Sequence, residues 1–65
     1  MTYGELKRKL GQLGVHLASQ GKRHEQWFNP TTRQFCWLPR HRSEVPTGLF
    51  HRILRDLGVR EEDLK

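Results

Sequence analysis

The sequence predicts an α+β fold in the order α-β-β-β-α, with a three-stranded antiparallel sheet and two helices on one face. Two segments, one near each end of the chain, carry apolar residues at the spacing of amphipathic helices. Between them lie aromatic-rich segments separated by turn-forming residues, which is typical of antiparallel strands. Each helix has one apolar stripe, and both stripes can be buried together only by packing on the sheet.

The first helix is predicted over about residues 3–13. Thr2 and Glu5 have the spacing of a capping box, which marks a helix N-terminus. Gly14 suits the left-handed conformation that often ends a helix. The apolar stripe of this helix consists of leucines at helical spacing: Leu6, Leu10 and Leu13.

Three strands follow this helix. Apolar and polar side chains alternate over residues 15–19 well enough to predict the first strand. Gly21 and the two cations after it interrupt the strand pattern. The segments HEQWFN (24–29) and FCWL (35–38) predict the second and third strands, because aromatic residues favour strands. The polar segment PTTRQ (30–34) joins them, so the two strands form a hairpin.

The hairpin register decides which side chains share a face. Pairing Phe28 with Phe35 places Gln26 opposite Trp37 and His24 opposite Pro39 on one face of the sheet. The other face, assigned to the helix-covered core, then carries Trp27, Cys36 and Leu38. A slip of one residue would change which side chains are opposite one another.

In this register Phe28, Phe35 and Trp37 form an aromatic strip on the face that the helices leave open. An exposed aromatic patch on a small domain usually marks a surface that binds a partner. We therefore predict these three residues as partner-binding residues.

The second helix is predicted after the segment Pro46-Thr47-Gly48 and before Gly58. Residues 60–64 are expected to add a short terminal turn. The helix has one apolar stripe formed by Phe50, Ile53, Leu54 and Leu57.

Size and hydropathy exclude large enzyme architectures and membrane spans. The chain has 65 residues, with 34% hydrophobic and 29% charged, so we expect a single domain over 1–65 with a thin core. No apolar run approaches the roughly 20 residues that a membrane span needs, and the N-terminus lacks the apolar stretch of a signal peptide. A cytoplasmic location without membrane contact is therefore expected.

The charge of the chain favours a polyanionic partner. The formal net charge is +5, and residues 7–55 contain ten lysines and arginines against two acidic residues. A basic domain of this kind attracts nucleic acid through counterion release. A net charge of this size is also common on small proteins, where it only keeps them soluble.

Cys36 is the single cysteine, so an intramolecular disulfide is excluded, and we predict a buried core thiol. The four histidines and Cys36 lack the paired spacing of a tetrahedral metal site. No metal or other cofactor is expected.

Three segments, GKRHEQWFNP (21–30), LPRHRSEVP (38–46) and PTGLFHRILRDLG (46–58), follow the basic first helix in this order. They resemble the HicA family of toxin–antitoxin mRNA interferases over roughly residues 3–59. That family shows Gly-Ser-His with an aromatic residue and His-Pro or Asn-Pro, then Val-Pro-x-His, then Pro-x-Gly-Thr-Leu-x-x-Ile-Leu. Three motifs in order at family spacing make a specific signal.

The resemblance implies a fold similar to a double-stranded-RNA-binding domain and a metal-independent endoribonuclease that cleaves mRNA. It implies that His24 is the catalytic histidine, acting as general acid or base, and that a HicB-like antitoxin covers the His24 face. The chain departs from the family pattern at Lys22 and Arg23, where Gly-Ser is favoured, and at Leu49, where Thr is favoured.

Cleavage of RNA without a metal needs a proton acceptor, a proton donor and a cation near the phosphate. Lys22 and Arg23 are the candidate phosphate clamp, with Arg40 and His41 as further RNA-binding candidates. His41 can instead stabilise the loop before the second helix, and His24 can be a solvated polar residue that starts a strand. Lys7, Arg8 and Lys9 are most simply a solvated helix face, or alternatively contact the RNA backbone.

Two alternative functions remain open at this point: a non-catalytic RNA-binding module, and a protein-interaction domain that uses the aromatic strip. In the toxin interpretation the antitoxin should be acidic where it faces the strip and its basic surroundings. The arginines concerned are Arg23, Arg33, Arg40 and Arg42.

Overall fold

A computed structural model describes residues 1–41 and 43–64 and confirms the predicted α-β-β-β-α fold. The elements are α1 (Tyr3–Gln12), β1 (His16–Gln20), β2 (His24–Asn29), β3 (Gln34–Pro39), α2 (Thr47–Leu57) and a 3-10 helix (Glu61–Leu64). Most of the strand ends differ from the predicted ones by one residue. For example, β1 begins at His16 rather than at residue 15. Among the described residues, no helix has the length and hydrophobicity required to cross a bilayer.

The three strands form one antiparallel sheet in the order β1-β2-β3. Phe28 pairs with Phe35, and His24 pairs with Pro39, so the predicted register of the hairpin is confirmed. Strand β1 pairs with β2 through His16 opposite Phe28, and an irregularity follows between Leu17 and Ser19. The sheet therefore presents alternating side chains to two faces, as the hairpin pattern requires.

Both helices pack on the same face of the sheet. One buried cluster joins the apolar stripes of α1 and α2 to the inward side chains of β3, and it contains Leu6, Leu10, Cys36, Leu38, Ile53 and Leu57. Trp27 is only partly buried and packs against the edge of this cluster. Burial, with a smaller contribution from the Asp56 carboxylate, raises the pKa of the Cys36 thiol to about 11, so this thiol stays protonated at neutral pH.

The helix ends follow the capping signals of the sequence. The Thr2 side chain accepts a hydrogen bond from the Glu5 backbone N–H at 3.2 Å and caps α1. Gly14 and Gly58 have φ angles of 89° and 68°, in the left-handed region that favours glycine. A Cβ atom at Gly58 would lie 2.7 Å from the Thr32 and Gln34 side chains, so the close approach of the hairpin also requires glycine there.

Asn29 attaches the tip of the hairpin to the end of α2. Its side chain is buried, donates to the Leu57 carbonyl at 2.8 Å and accepts from the Thr31 backbone N–H at 3.0 Å. Thr32 donates to the same Leu57 carbonyl at 2.8 Å. These bonds satisfy a carbonyl at the helix C-terminus that has no partner within the helix.

Candidate functional site

Six residues at one end of the hairpin line an open depression, which we call the basic depression: Lys22, Arg23, His24, Pro39, Arg40 and His41. All five residues that the sequence predicts for catalysis or RNA binding are therefore brought together. The register explains this, because His24 begins β2 directly opposite Pro39 at the end of β3. The loop before β2 and the segment after β3 consequently lie side by side. Arg42, predicted for the surface that faces a partner, lies outside the described residues.

The loop that carries Lys22 and Arg23 is held by three hydrogen bonds. The Gly21 N–H donates to the His24 carbonyl at 2.8 Å, which closes a tight turn around the two cations. The Arg40 N–H donates to the Arg23 carbonyl at 3.0 Å, and the Arg40 guanidinium donates to the Gly21 carbonyl at 3.2 Å. The turn is thus fixed to the segment after β3, while the Lys22 and Arg23 side chains remain exposed.

The Glu25 carboxylate connects the site to the first helix. Its side chain is 12% exposed and lies 2.7 Å from Lys7 Nζ and 3.8 Å from Arg40 Nε. Trp27 Nε1 donates to the same carboxylate at 3.1 Å. The hydrogen bond from Lys7, assisted by Trp27 and the nearby charges, lowers the pKa of Glu25 despite its partial burial.

The prediction of a solvated basic face on α1 is wrong for Lys7. Its side chain is largely covered because it pairs with Glu25, which projects from the helix-covered face of β2. No local pattern in the sequence indicates this pair, since the two residues come from separate elements. Arg8 remains exposed on the outer side of the helix.

The two histidines of the basic depression differ in their surroundings. The His24 side chain is exposed and projects from the face of the sheet that the helices leave open. The ring of His41 is also exposed, but its centroid lies 6.0 Å from that of the buried Tyr3 ring of α1. His41 therefore both lines the depression and packs beside the first helix, so its two predicted roles are compatible in space.

His24 and Pro39 also line a second groove, which we call the edge cleft. It runs between α2 and β3, the strand at the edge of the sheet. Its remaining lining residues are Phe35, Cys36, Trp37, Leu49, Arg52, Ile53 and Asp56. Arg52 and Asp56 were not among the residues predicted from the sequence to have a function. Their spacing of four residues, on a helix stripe that also holds Leu49 and Ile53, is the signal that points to a common surface.

The predicted aromatic strip lies on the open face. Phe35 and Trp37 are 49% and 56% exposed. Phe28 is a correction to the prediction, because it is only partly exposed. Its ring centroid lies 4.6 Å from that of Phe35 and 5.7 Å from that of His16, and these two rings cover it. His16, to which the sequence assigned no role, thus extends the strip across all three strands.

A comparison of the chain with models of protein families matches residues 3–59 to the family described as the HicA toxin of bacterial toxin–antitoxin systems. The match covers both helices, all three strands and every residue of the basic depression. A search of curated proteins found no match.

Glu25→Gln is expected to lower the free energy of unfolding at neutral pH by about 1–3 kcal/mol, because it removes charge-assisted hydrogen bonds from a covered carboxylate. The pKa of Glu25 is lower in the folded chain than its usual 4.5. Its stabilising effect is therefore present above that pH and is lost as the pH falls through the folded-state pKa.

Urea denaturation between pH 7 and pH 3 measures this effect, and the curves of the two proteins should converge toward acid pH. Glu62→Gln is the control, since its carboxylate is exposed beside Arg60 and should contribute little. A constant difference between Glu25→Gln and the original chain across the pH range would contradict the assignment.

Proposed function

Since the chain belongs to the HicA family of toxins of bacterial toxin–antitoxin systems, we propose that it is an endoribonuclease that cleaves mRNA, with His24 as general acid or base. The observation that carries the proposal is the convergence of His24 with four basic or imidazole side chains in the basic depression. An imidazole beside cationic side chains is the arrangement that phosphodiester cleavage without a metal requires.

In the proposed reaction the RNA 2′-oxygen attacks the adjacent phosphorus while a base takes the 2′-OH proton. The P–O bond to the 5′-oxygen breaks, and this oxygen takes a proton from an acid, which leaves a 2′,3′-cyclic phosphate. His24 performs one of these proton transfers, since an imidazole ring can both accept and donate a proton at a ring nitrogen. His41 lines the same depression and is the candidate for the other transfer.

The cations of the basic depression bind the phosphate and stabilise the charge that develops on it. Lys22 and Arg23 project from a turn that three backbone carbonyl contacts hold in place. A fixed backbone loses little conformational freedom when substrate binds, so both charged side chains are attached close to the candidate phosphate site before the RNA arrives. Arg40 donates a hydrogen bond to this turn and forms an ion pair with Glu25 at 3.8 Å, so it orients the loop and adds a third positive charge.

We propose further that a HicB-like antitoxin covers the aromatic strip and thereby closes the RNA site. Phe35 and Trp37 are exposed on the same face as His24, so a protein that buries them also lies over the histidine. The exposed basic residues Arg23, Arg33 and Arg40 favour an acidic surface on that partner.

His24→Ala is expected to abolish RNA cleavage and growth inhibition while the chain stays folded, because the side chain is exposed and contributes little to the core. Cleavage of a labelled mRNA and circular dichroism measure the two properties. His51→Ala is the control, since His51 is exposed on α2, lies beside Phe50 and Glu61, and lines neither the basic depression nor the edge cleft.

Cleavage by the folded His24→Ala chain at the original rate would refute the catalytic assignment. RNA binding without cleavage by the original chain would instead support the alternative function of a non-catalytic RNA-binding module.

Replacement of Lys22 and Arg23 by Gly and Ser is expected to weaken RNA binding and to reduce its salt dependence. The slope of log K against log salt concentration should fall by up to about two counterions if both side chains contact phosphate. The matched replacement of both residues by Gln keeps longer side chains and removes the same charges. Similar slopes for the two variants would assign the effect to charge, whereas an unchanged slope in both would place these side chains away from the RNA.

Trp37→Ala is expected to weaken the complex with the cognate antitoxin by about 2 kcal/mol or more, roughly a 30-fold rise in Kd, because it truncates a large aromatic anchor. Calorimetric titration measures the change. Leu17→Ala is the control, since Leu17 is also an exposed apolar residue, at 41%. It lies on β1 and pairs with Trp27, so it is on the opposite face of the sheet from the strip. Equal affinity of the Trp37→Ala chain and the original would refute the proposed interface.

A further inference from the structure

The basic depression accounts for the binding of a phosphate but leaves the edge cleft without a role. The two are continuous, since His24 and Pro39 line both. A strand of RNA that places a phosphate at His24 therefore has one neighbouring nucleotide beside the edge cleft. Trp37 lies two residues from Pro39 on the same face, about 7 Å along the strand. That separation is comparable with one nucleotide of an extended single strand.

The walls of the edge cleft differ in chemistry. On the strand side are the exposed rings of Phe35 and Trp37, and an exposed indole is a surface on which any nucleobase can stack. On the helix side are Arg52 and Asp56, whose side chains are 69% and 40% exposed. Leu49 and Ile53 form the apolar part of the same wall. Such a combination of stacking and polar groups is typical of sites that bind single-stranded RNA bases.

Arg52 and Asp56 present a hydrogen-bond donor and an acceptor side by side. Arg52 Nε lies 3.7 Å from Asp56 Oδ2, so the two side chains form an ion pair. This distance is too long for a good hydrogen bond. Cys36 Sγ lies 4.0 Å from the same oxygen, and a thiol is a weak donor. The hydrogen-bonding capacity of both side chains therefore remains largely available to a ligand in the cleft.

We propose that the edge cleft binds a guanine base next to the cleaved phosphate, with Trp37 stacking on the base and Arg52 and Asp56 reading its edge. This inference rests on the proposed endoribonuclease function and adds a determinant of sequence preference. The Watson–Crick edge of guanine has two adjacent N–H donors, which suit a carboxylate, beside the O6 acceptor, which suits a guanidinium. Adenine, cytosine and uracil do not offer two adjacent donors and an acceptor in this order.

The test measures binding of the full chain to 2′-O-methyl uridine octamers that carry one central guanosine, adenosine or cytidine. These oligonucleotides lack the 2′-OH and are not cleaved. The original chain should bind the guanosine octamer about tenfold or more tighter than the others, as a bidentate contact to a base discriminates by this order. Asp56→Asn and Arg52→Gln should remove this preference, and Trp37→Ala should weaken binding to all octamers by at least about fivefold.

Matched controls separate base reading from net charge and stability. Arg55→Gln removes the same charge from the same helix, and Asp63→Asn changes an exposed carboxylate of the 3-10 helix; neither residue lines the edge cleft. Both controls should retain the guanosine preference. Mapping of cleavage sites on an mRNA by the original chain and by Asp56→Asn provides the second measurement.

Cleavage or binding with no base preference, or with a preference that Asp56→Asn and Arg52→Gln leave unchanged, would overturn the guanine site while the proposed endoribonuclease stands. Failure of the original chain to bind or cleave any RNA would overturn both proposals. Loss of preference in the charge controls as well would also overturn the site, because it would assign the effect to charge alone.

Discussion

The pairing of β2 with β3 in one register is the constraint on which the rest of the structure depends. Because Phe28 lies opposite Phe35, inward residues of the hairpin meet both helices while the aromatic rings remain on the open face. The same register places His24 at the end of the ladder, opposite Pro39. A slip of one residue would change the partners of every side chain in the hairpin and would remove His24 from its place opposite Pro39.

Polar contacts at both ends of β2 hold this register against the helices. At one end Asn29 bonds the Leu57 carbonyl of α2, and at the other Glu25 bonds Lys7 of α1 and Trp27 of its own strand. A thin core of a small domain supplies limited stability, so such covered hydrogen bonds carry a large share of the positional order. Since Glu25 also lies near Arg40, the contact that docks α1 also orients the loop of the candidate site.

The sequence predicted those features that depend on local pattern. Helical spacing, strand alternation and glycine at the two left-handed helix ends are each encoded within a few residues, so the element order and the hairpin register were confirmed. The grouping of the predicted site residues follows from that register. Features that join distant elements were missed, such as the Lys7–Glu25 pair and the edge cleft, because their residues meet only when α1 and α2 pack on the sheet.

The positions of the two grooves and the strip explain how one partner can control the proposed activity. Trp37 belongs to the aromatic strip and also lines the edge cleft, whereas His24 lies where the cleft meets the basic depression. A protein that buries Trp37 would therefore occupy the place proposed for a stacked base and would also lie over the histidine. Inhibition then requires no change in the fold of the toxin. It requires only that the partner and the RNA compete for the same exposed aromatic and basic surface, which a chain of this size cannot present to both at once.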